Sequence, residues 1–251
     1  MVDSSPAGRR YAVFISYRHA DNKEMGRKWA NWLHEALESY EVPPDLVGST
    51  SLRGDQVPPS LYPVFRDEEE LPADADLSAN IQRALEHSGL LVVICSPRAV
   101  KRNLKPGERD FVAEEIRYFK ELGKSDRILA LMIDGEPNAS DDPAKRAAFR
   151  AEDECFPEPL RFGVAAEGNP TRIDWSARTE PIAADARPGG RAEQGWTTAA
   201  AYEEHLRRPD GQGEAETKEA VRDYAVRLEQ AKLKIIAGAL GLSLGVLTKR
   251  D

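Results

Sequence analysis

Two side chains of this sequence have the chemical character of a reactive site, the carboxylate of Glu115 and the guanidinium of Arg18. A carboxylate stabilises positive charge that develops in a transition state, and a guanidinium binds a phosphate through two parallel hydrogen bonds. Glu115 lies within residues 109–116, which have the pattern of a helix, and Arg18 follows residues 11–17, a short run rich in aromatic and β-branched residues. Such chemistry requires a fold that brings the two segments together.

The elements that must position these groups are predicted strands of a parallel sheet. Three short apolar runs bounded by turn residues are typical of strands buried on both faces. These runs are residues 11–17, 61–65 and 90–95. They end close to Arg18, Asp67 and Ser96, respectively. Ligands of open α/β sheets bind outside the carboxyl ends of the strands. We therefore expect these three residues to border one crevice, and Glu115, on the helix after the third strand, to face it.

Strand and helix patterns continue to alternate along the chain. The further predicted elements are strands at residues 127–133 and 160–164 and helices at residues 23–40, 77–86, 108–122 and 142–150. The apolar face of the first helix includes Met25 and Trp29, and Asp21 or Asn22 can cap its start. Five parallel strands with flanking helices predict an α/β protein with a flavodoxin-like, doubly wound sheet.

Three segments do not fit this alternation. Residues 41–60 are rich in Pro and Gly, and we interpret them as a lid, a binding loop or a disordered connection. Residues 166–213 are irregular and polar, although residues 182–185 can supply an edge strand. Residues 214–251 form a C-terminal helical segment, whose apolar stripe predicts one long helix over residues 214–240.

Composition and charge narrow the classes of function. The chain of 251 residues is long for one such domain, and 41% hydrophobic residues suffice for a sizeable core. The formal charge of -8 comes without a concentrated basic stripe, so we do not expect nucleic acid as a ligand. The two cysteines, Cys95 and Cys155, have no metal-ligand spacing, which predicts no metal site and a reduced, cytoplasmic protein.

No segment has the pattern of an export signal or a membrane span. Residues 1–10 are polar and small, without the apolar stretch of a signal peptide. Residues 233–247 are the most hydrophobic window, but glycines interrupt it and it is shorter than the roughly 20 residues of a spanning helix. We predict no membrane association, and we interpret this window as a helix packed on the domain or as a contact surface for a partner.

Three motifs occur in the order in which one protein family carries them. They are Val13-Phe14-Ile15-Ser16-Tyr17-Arg18, Phe65-Arg66-Asp67 and Phe111-Val112-Ala113-Glu114-Glu115-Ile116. On these motifs, residues 9–165 resemble the Toll/interleukin-1 receptor (TIR) domain family. In the TIR proteins that cleave NAD+, the glutamate that matches Glu115 is catalytic, and an aromatic residue stands four positions before it, where this chain has Phe111. The resemblance implies NAD+ as a substrate and no separate cofactor.

Cleavage of NAD+ at the bond between nicotinamide and ribose makes a specific demand on such a site. The nicotinamide group of NAD+ is positively charged and leaves as a neutral molecule, so no general acid is needed to protonate it. The barrier lies in forming a ribosyl centre with oxocarbenium character. A single carboxylate beside that sugar can stabilise the charge, and Glu115 suits this role. Glu114 points about 100° away around the helix, so we expect it to face solvent.

The other candidate substrate-binding residues are Arg18, Asp67 and Phe111. Arg18 can contact the diphosphate of NAD+ or form a salt bridge with Asp67 or Asp21. Asp67 matches a family position at the start of the BB loop, residues 66–76, and can order that loop. Phe111 can line the pocket or pack in the core, and we favour the core.

Two classes of function compete. In the first, the chain is an NAD+ glycohydrolase, also able to form a cyclic ADP-ribose, that is activated by self-association and acts as the effector of a bacterial defence or cell-death system. In the second, it is a non-catalytic TIR scaffold or adaptor. Glu115 favours the enzyme, because a scaffold has no need for a carboxylate there. The C-terminal segment is similar to those that join TIR domains to sensor modules, so we expect a sensor or partner protein at that end.

Overall fold

Five short parallel strands form the central sheet, and helices cover both of its faces. The computed structural model describes residues 10–66, 77–101, 105–165, 168, 171–189, 193–207 and 214–248. The strands are β1 Val13–Ser16, β2 Val64–Phe65, β3 Leu91–Cys95, β4 Ile128–Met132, β5 Phe162–Val164, β6 Ile173–Arg178 and β7 Ile182–Asp185. The helices are α1 Trp29–Glu38, α2 Leu77–Glu86, α3 Phe111–Glu121, α4 Ala199–Leu206, α5 Glu214–Leu240 and α6 Leu244–Thr248. The strand order β2-β1-β3-β4-β7 confirms the predicted flavodoxin-like α/β sheet.

The first four strands lie where the apolar runs predicted them. β3 pairs with β4 over five residues, from Leu91 opposite Ile128 to Cys95 opposite Met132. Every residue of β1, β3 and β4 is buried, because helices lie on both faces of the sheet. That two-sided burial explains why the runs are continuously apolar and do not alternate with polar residues.

The fifth strand is the one strand that was predicted in the wrong place. Residues 160–164 do not join the parallel sheet, since β5 pairs antiparallel with β6 in a separate two-stranded sheet. The fifth position belongs to β7, which pairs with β4 and confirms the edge strand expected at residues 182–185. The apolar character of residues 156–160 serves a different purpose, because Phe156 and Leu160 pack in the layer beneath α3. An apolar run can be buried by packing alone, without pairing in a sheet.

The first helix is shorter than its sequence pattern predicted. It begins at Trp29, and Met25, assigned to its apolar face, is 93% exposed. The chain before Trp29 is held by Asn22, whose side-chain oxygen accepts hydrogen bonds from the backbone N–H groups of Ala30 and Asn31 at 3.0 and 3.2 Å. This confirms Asn22 as a capping residue, but the cap acts across an intervening loop that contains Met25.

The Pro- and Gly-rich segment 41–60 is neither a lid nor disordered. Val42 and Val57 are buried in the apolar layer between the sheet and α5. The Arg53 guanidinium donates hydrogen bonds to the carbonyls of Gly238 and Ala239, at 2.8 and 2.9 Å, where the last turn of α5 leaves its carbonyls without helical partners. The segment therefore fastens the end of α5 to the domain.

The C-terminal segment packs on the sheet as part of the same core. α5 has the predicted bounds, and its buried stripe includes Tyr224, Leu228 and Ile235. The Tyr224 hydroxyl accepts a hydrogen bond from the backbone N–H of Trp196 at 2.6 Å and contacts the carbonyl of Ala186 at 3.0 Å, which ties α5 to the chain after β7. In the described part of the chain, no helix is long and apolar enough to cross a membrane.

The prediction of a helix over residues 142–150 is wrong. Only a 3-10 turn, Lys145–Ala147, forms there. The Asp142 carboxylate accepts a hydrogen bond from the backbone N–H of Ala144 at 2.9 Å, and the Lys145 ammonium binds Glu136 at 2.6 Å. These side-chain contacts offer the backbone an alternative to a continuous helix.

Candidate functional site

Glu115 is a nearly buried carboxylate held by a residue of the first strand. It lies on the inward face of α3 and is 8% exposed. The hydroxyl of Ser16, the last residue of β1, donates a hydrogen bond to Glu115 Oε2 at 2.5 Å. Ser16 itself is 1% exposed. A hydrogen bond of this kind fixes the position of the carboxylate.

A pocket opens in front of Glu115, between α2 and α3. The space between its walls, open mouth included, is about 400 Å³. Its lining combines an apolar wall with several polar groups, and consists of Ile81, Gln82, Leu85, Arg109, Phe111, Glu114, Glu115 and Tyr118. Ile81 and Leu85 belong to the face of α2 that the sequence pattern marked as apolar, and here part of that face forms the wall of the pocket.

Phe111 lies in the pocket wall, and the favoured interpretation of this residue as core is wrong. Its side chain is 43% exposed. Phe111 is the first residue of α3, so it stands at the mouth of the pocket and not under the helix. The guanidinium carbon of Arg109 lies 5.2 Å from the centre of its ring. Such a contact stabilises an exposed aromatic side chain in place.

Glu114 points away from Glu115, as predicted, but it is paired. Its carboxylate accepts hydrogen bonds from the Nε of Arg109, at 2.9 and 3.2 Å, and from Nη2 of the same guanidinium. Both residues line the rim of the pocket. Glu114 is thus the more exposed of the two carboxylates, as expected, and Arg109 holds it at the rim.

Tyr118 and Arg109 are pocket residues that the sequence interpretation missed. The Tyr118 hydroxyl donates a hydrogen bond to Glu86 Oε1 at 2.5 Å. This bond, followed by burial, raises the pKa of Tyr118 to about 12, so the hydroxyl keeps its proton at neutral pH. Helical spacing could have identified Tyr118, since positions 111, 115 and 118 fall on one face of a helix. Arg109 precedes α3, where helical periodicity gives no information.

Arg18 is not among the described residues that line the pocket, and within the described part of the chain its ion partner is Asp110 and not Asp21. Its Nη2 forms a salt bridge with Asp110 Oδ1 at 3.2 Å, and its Nε donates to the carbonyl of Arg98 at 3.2 Å. Asp110 is the N-cap of α3 and accepts a hydrogen bond from the backbone N–H of Ala113. Arg18 thus joins the end of β1 to the start of α3. Asp67 and the rest of the BB loop, residues 67–76, lie outside the described residues.

Ser96 lies on the other side of the sheet from Glu115, so the prediction of one common crevice is wrong for it. Successive residues of a strand point to opposite faces. Ser96 follows Cys95, which packs on the α3 side, so Ser96 faces the α1 side. There its hydroxyl donates a hydrogen bond to Asp21 Oδ2 at 2.6 Å.

A second, smaller cleft of about 210 Å³ opens on that α1 side. Burial raises the pKa of Asp21 in it, against the opposing effects of the Ser96 hydrogen bond and the Arg98 charge. Arg98 forms salt bridges with Asp21 at 3.4 Å and Glu24 at 2.8 Å. Because these charges neutralise each other within the cleft, the pocket of Glu115 is the better candidate for a functional site.

The charged groups of the described residues show no metal centre. No cluster of three or more His, Cys, Asp or Glu side chains in this part of the chain is placed to hold a metal ion. The described lining of the pocket of Glu115 offers the carboxylate fixed by Ser16, an aromatic wall, a protonated phenol, and the Arg109-Glu114 pair at the rim.

Comparison with known proteins assigns the family. The profile of the family described as TIR domain matches residues 13–158, which is more than half of the chain. No curated protein matches the sequence. The matched range contains β1 to β4 and α1 to α3, and therefore all the elements that build the pocket of Glu115. The chain therefore belongs to the TIR domain family.

Proposed function

We propose that this protein is an NAD+ glycohydrolase that uses Glu115 to break the bond between nicotinamide and ribose. The single observation that carries the proposal is the position of the Glu115 carboxylate. It is buried, held by Ser16 at 2.5 Å, and faces an open pocket. A carboxylate is costly to bury unless its interactions compensate, so a fixed one at the back of an open pocket favours a chemical role.

The proposed reaction needs one fixed negative charge beside the ribose and access for water. The bond between ribose C1′ and the nicotinamide nitrogen breaks, and its electron pair leaves with neutral nicotinamide. Positive charge then develops on the ribosyl centre, where the Glu115 carboxylate stabilises it. Water adds to C1′ and releases a proton, which gives ADP-ribose, whereas attack by a group of the same molecule gives a cyclic product. Phe111 and the apolar wall provide a surface against which the planar nicotinamide ring packs.

A wider role follows from family membership. TIR domains commonly self-associate, and we propose that self-association activates this enzyme as an effector of a bacterial defence or cell-death system. The BB loop is the proposed contact, and residues 67–76 of that loop lie outside the described residues. Cytoplasmic localisation and a sensor or partner at the C-terminal segment remain parts of this proposal.

The test is release of nicotinamide from NAD+ by the purified chain, measured by chromatography over a series of protein concentrations. The wild type should release nicotinamide, and Glu115→Gln should lower the rate by about 10²- to 10³-fold, the usual cost of one preorganised electrostatic contact. Glu114→Gln is the matched control, since it removes the neighbouring carboxylate and should retain most of the turnover. Circular dichroism establishes that both variants are folded. If concentrated or bead-clustered wild-type protein leaves NAD+ intact, the scaffold function replaces the enzyme.

A further inference from the structure

We propose that Arg109 binds the diphosphate of the substrate. Before substrate binds, the Arg109 guanidinium is paired with the carboxylate of Glu114, as in the structure. This inference rests on the proposed function, because it takes NAD+ as the ligand of the pocket. Of the described residues that line the pocket, Arg109 is the only cation, whereas Glu114 and Glu115 are both carboxylates. A ligand with two negatively charged phosphates needs a cation there to offset the repulsion from Glu115.

The geometry separates Arg109 from the other nearby arginine. Arg18 has a side chain 21% exposed, and its partner Asp110 is 13% exposed. If Arg18 bound a ligand instead, the partly buried carboxylate of Asp110, which caps α3, would lose its cation. The loss of the partner of a buried charge is costly. Arg109 and Glu114 are 49% and 34% exposed, so solvent can replace either partner at small cost. Arg109 is therefore the arginine that can exchange a carboxylate for a phosphate.

The Arg109-Glu114 contact directs two donors of one guanidinium at an anion. Nε and Nη2 of Arg109 both donate to Oε2 of Glu114, and Nε also contacts Oε1 at 3.2 Å. These are donors that arginine also presents to a phosphate group. The same guanidinium lies over Phe111, which fixes its direction at the mouth of the pocket. A diphosphate that binds Arg109 therefore has to displace Glu114.

This exchange predicts opposite effects for the two partners. Arg109→Gln should raise the KM for NAD+ by about 10-fold, because a charge-assisted contact to the diphosphate is lost. Glu114→Gln should lower the KM by about 1.5- to 5-fold, because the competing exposed ion pair is gone. In both variants kcat should stay within about twofold of the wild type, since neither side chain acts on the ribosyl centre and only ground-state binding changes.

The experiment measures kcat and KM for NAD+ and, by calorimetry, the affinity of the full chain for ADP-ribose and for nicotinamide riboside, which lacks the diphosphate. Arg109→Gln should weaken ADP-ribose binding and leave nicotinamide riboside binding unchanged. Arg117→Gln is the matched control, because it removes the same charge from α3, the helix that Arg109 precedes, at a position that is not among the described lining residues of the pocket. Arg109→Lys should show an intermediate KM, since it keeps the charge and loses the paired hydrogen bonds.

Two outcomes would overturn the inference. One is an Arg109→Gln variant whose KM and ADP-ribose affinity match those of wild type or of Arg117→Gln. The other is an equal loss of affinity for nicotinamide riboside. In either case the wild type can still cleave NAD+, so the proposed function stands. If the wild type instead cleaves no NAD+ but binds ADP-ribose through Arg109, the proposed function fails and the phosphate site is supported.

Discussion

The hydrogen bond from Ser16 to Glu115 gives the sharpest test of how the site works. Ser16→Ala removes a donor that is 1% exposed and lies 2.5 Å from a carboxylate that is 8% exposed. A hydrogen bond to a charged group contributes about 1.5 to 3 kcal/mol. Because about 1.4 kcal/mol corresponds to a tenfold change in rate, kcat of the variant should be lower by about 10- to 150-fold.

The assay is kcat and KM for NAD+ cleavage, measured beside the unfolding free energy from urea denaturation. Loss of the Ser16 hydroxyl leaves the Glu115 carboxylate less firmly fixed beside the ribosyl centre, so kcat should fall and KM should change little. A purely structural role for Ser16 would lower the unfolding free energy and leave kcat of the folded protein unchanged.

Ser88→Ala is the matched control for this experiment. Ser88 is also 1% exposed, and its hydroxyl donates a hydrogen bond to the carbonyl of Ala84 at 2.6 Å, without a contact to Glu115. Its loss should lower the unfolding free energy by about 0.5 to 1.5 kcal/mol and should leave kcat unchanged. An unchanged kcat in Ser16→Ala, or an equal loss of kcat in Ser88→Ala, would refute the assigned role of Ser16.

Two further predictions concern buried ionisable groups outside the pocket. Burial lowers the pKa of Lys120, whose ammonium binds the carbonyls of Pro159 and Phe162, to about 8, so the unfolded chain binds more protons than the folded one between pH 8 and pH 10.5. Its contribution to the unfolding free energy should therefore rise over that window and be absent in Lys120→Met, and parallel pH profiles from urea denaturation would contradict this. Burial raises the pKa of Cys95 and of Cys155, so neither thiol should react with a disulfide reagent in the folded protein at pH 8, whereas both should react in denaturant. Rapid modification of either cysteine in the folded state would show that its surroundings open to solvent.

Local patterns in the sequence sufficed for much of the fold. Residues 77–86 and 214–240 form helices with the predicted bounds, and three of the first four strands lie within a residue or two of the apolar runs. The spacing of apolar residues in a segment predicts its secondary structure, because side chains on one face recur with the period of the backbone. The choice of Glu115 depended on the family motif, and helical periodicity alone placed Glu114 and Glu115 on different faces.

Contacts between distant segments could not be predicted in the same way. Ser16 and Glu115 are 99 positions apart, and neither position carries a local signal that names the other. The exposure of Phe111 and the partner of Arg18 also depended on which groups meet at the start of α3. Several carboxylates were chemically able to pair with Arg18, and only the packed structure selects Asp110.

The sequence by itself thus determined the type and order of most elements, the family, and the residue on which the proposed chemistry depends. Tertiary structure alone decided that β7 and not residues 160–164 completes the sheet, that Ser96 faces the side opposite to Glu115, and that Arg109 stands at the pocket mouth. The physical reason is the range of the interactions involved. Backbone periodicity and turn preference act between near neighbours in the chain, whereas strand pairing, burial and the choice of ion partner depend on residues that meet only after the chain has folded.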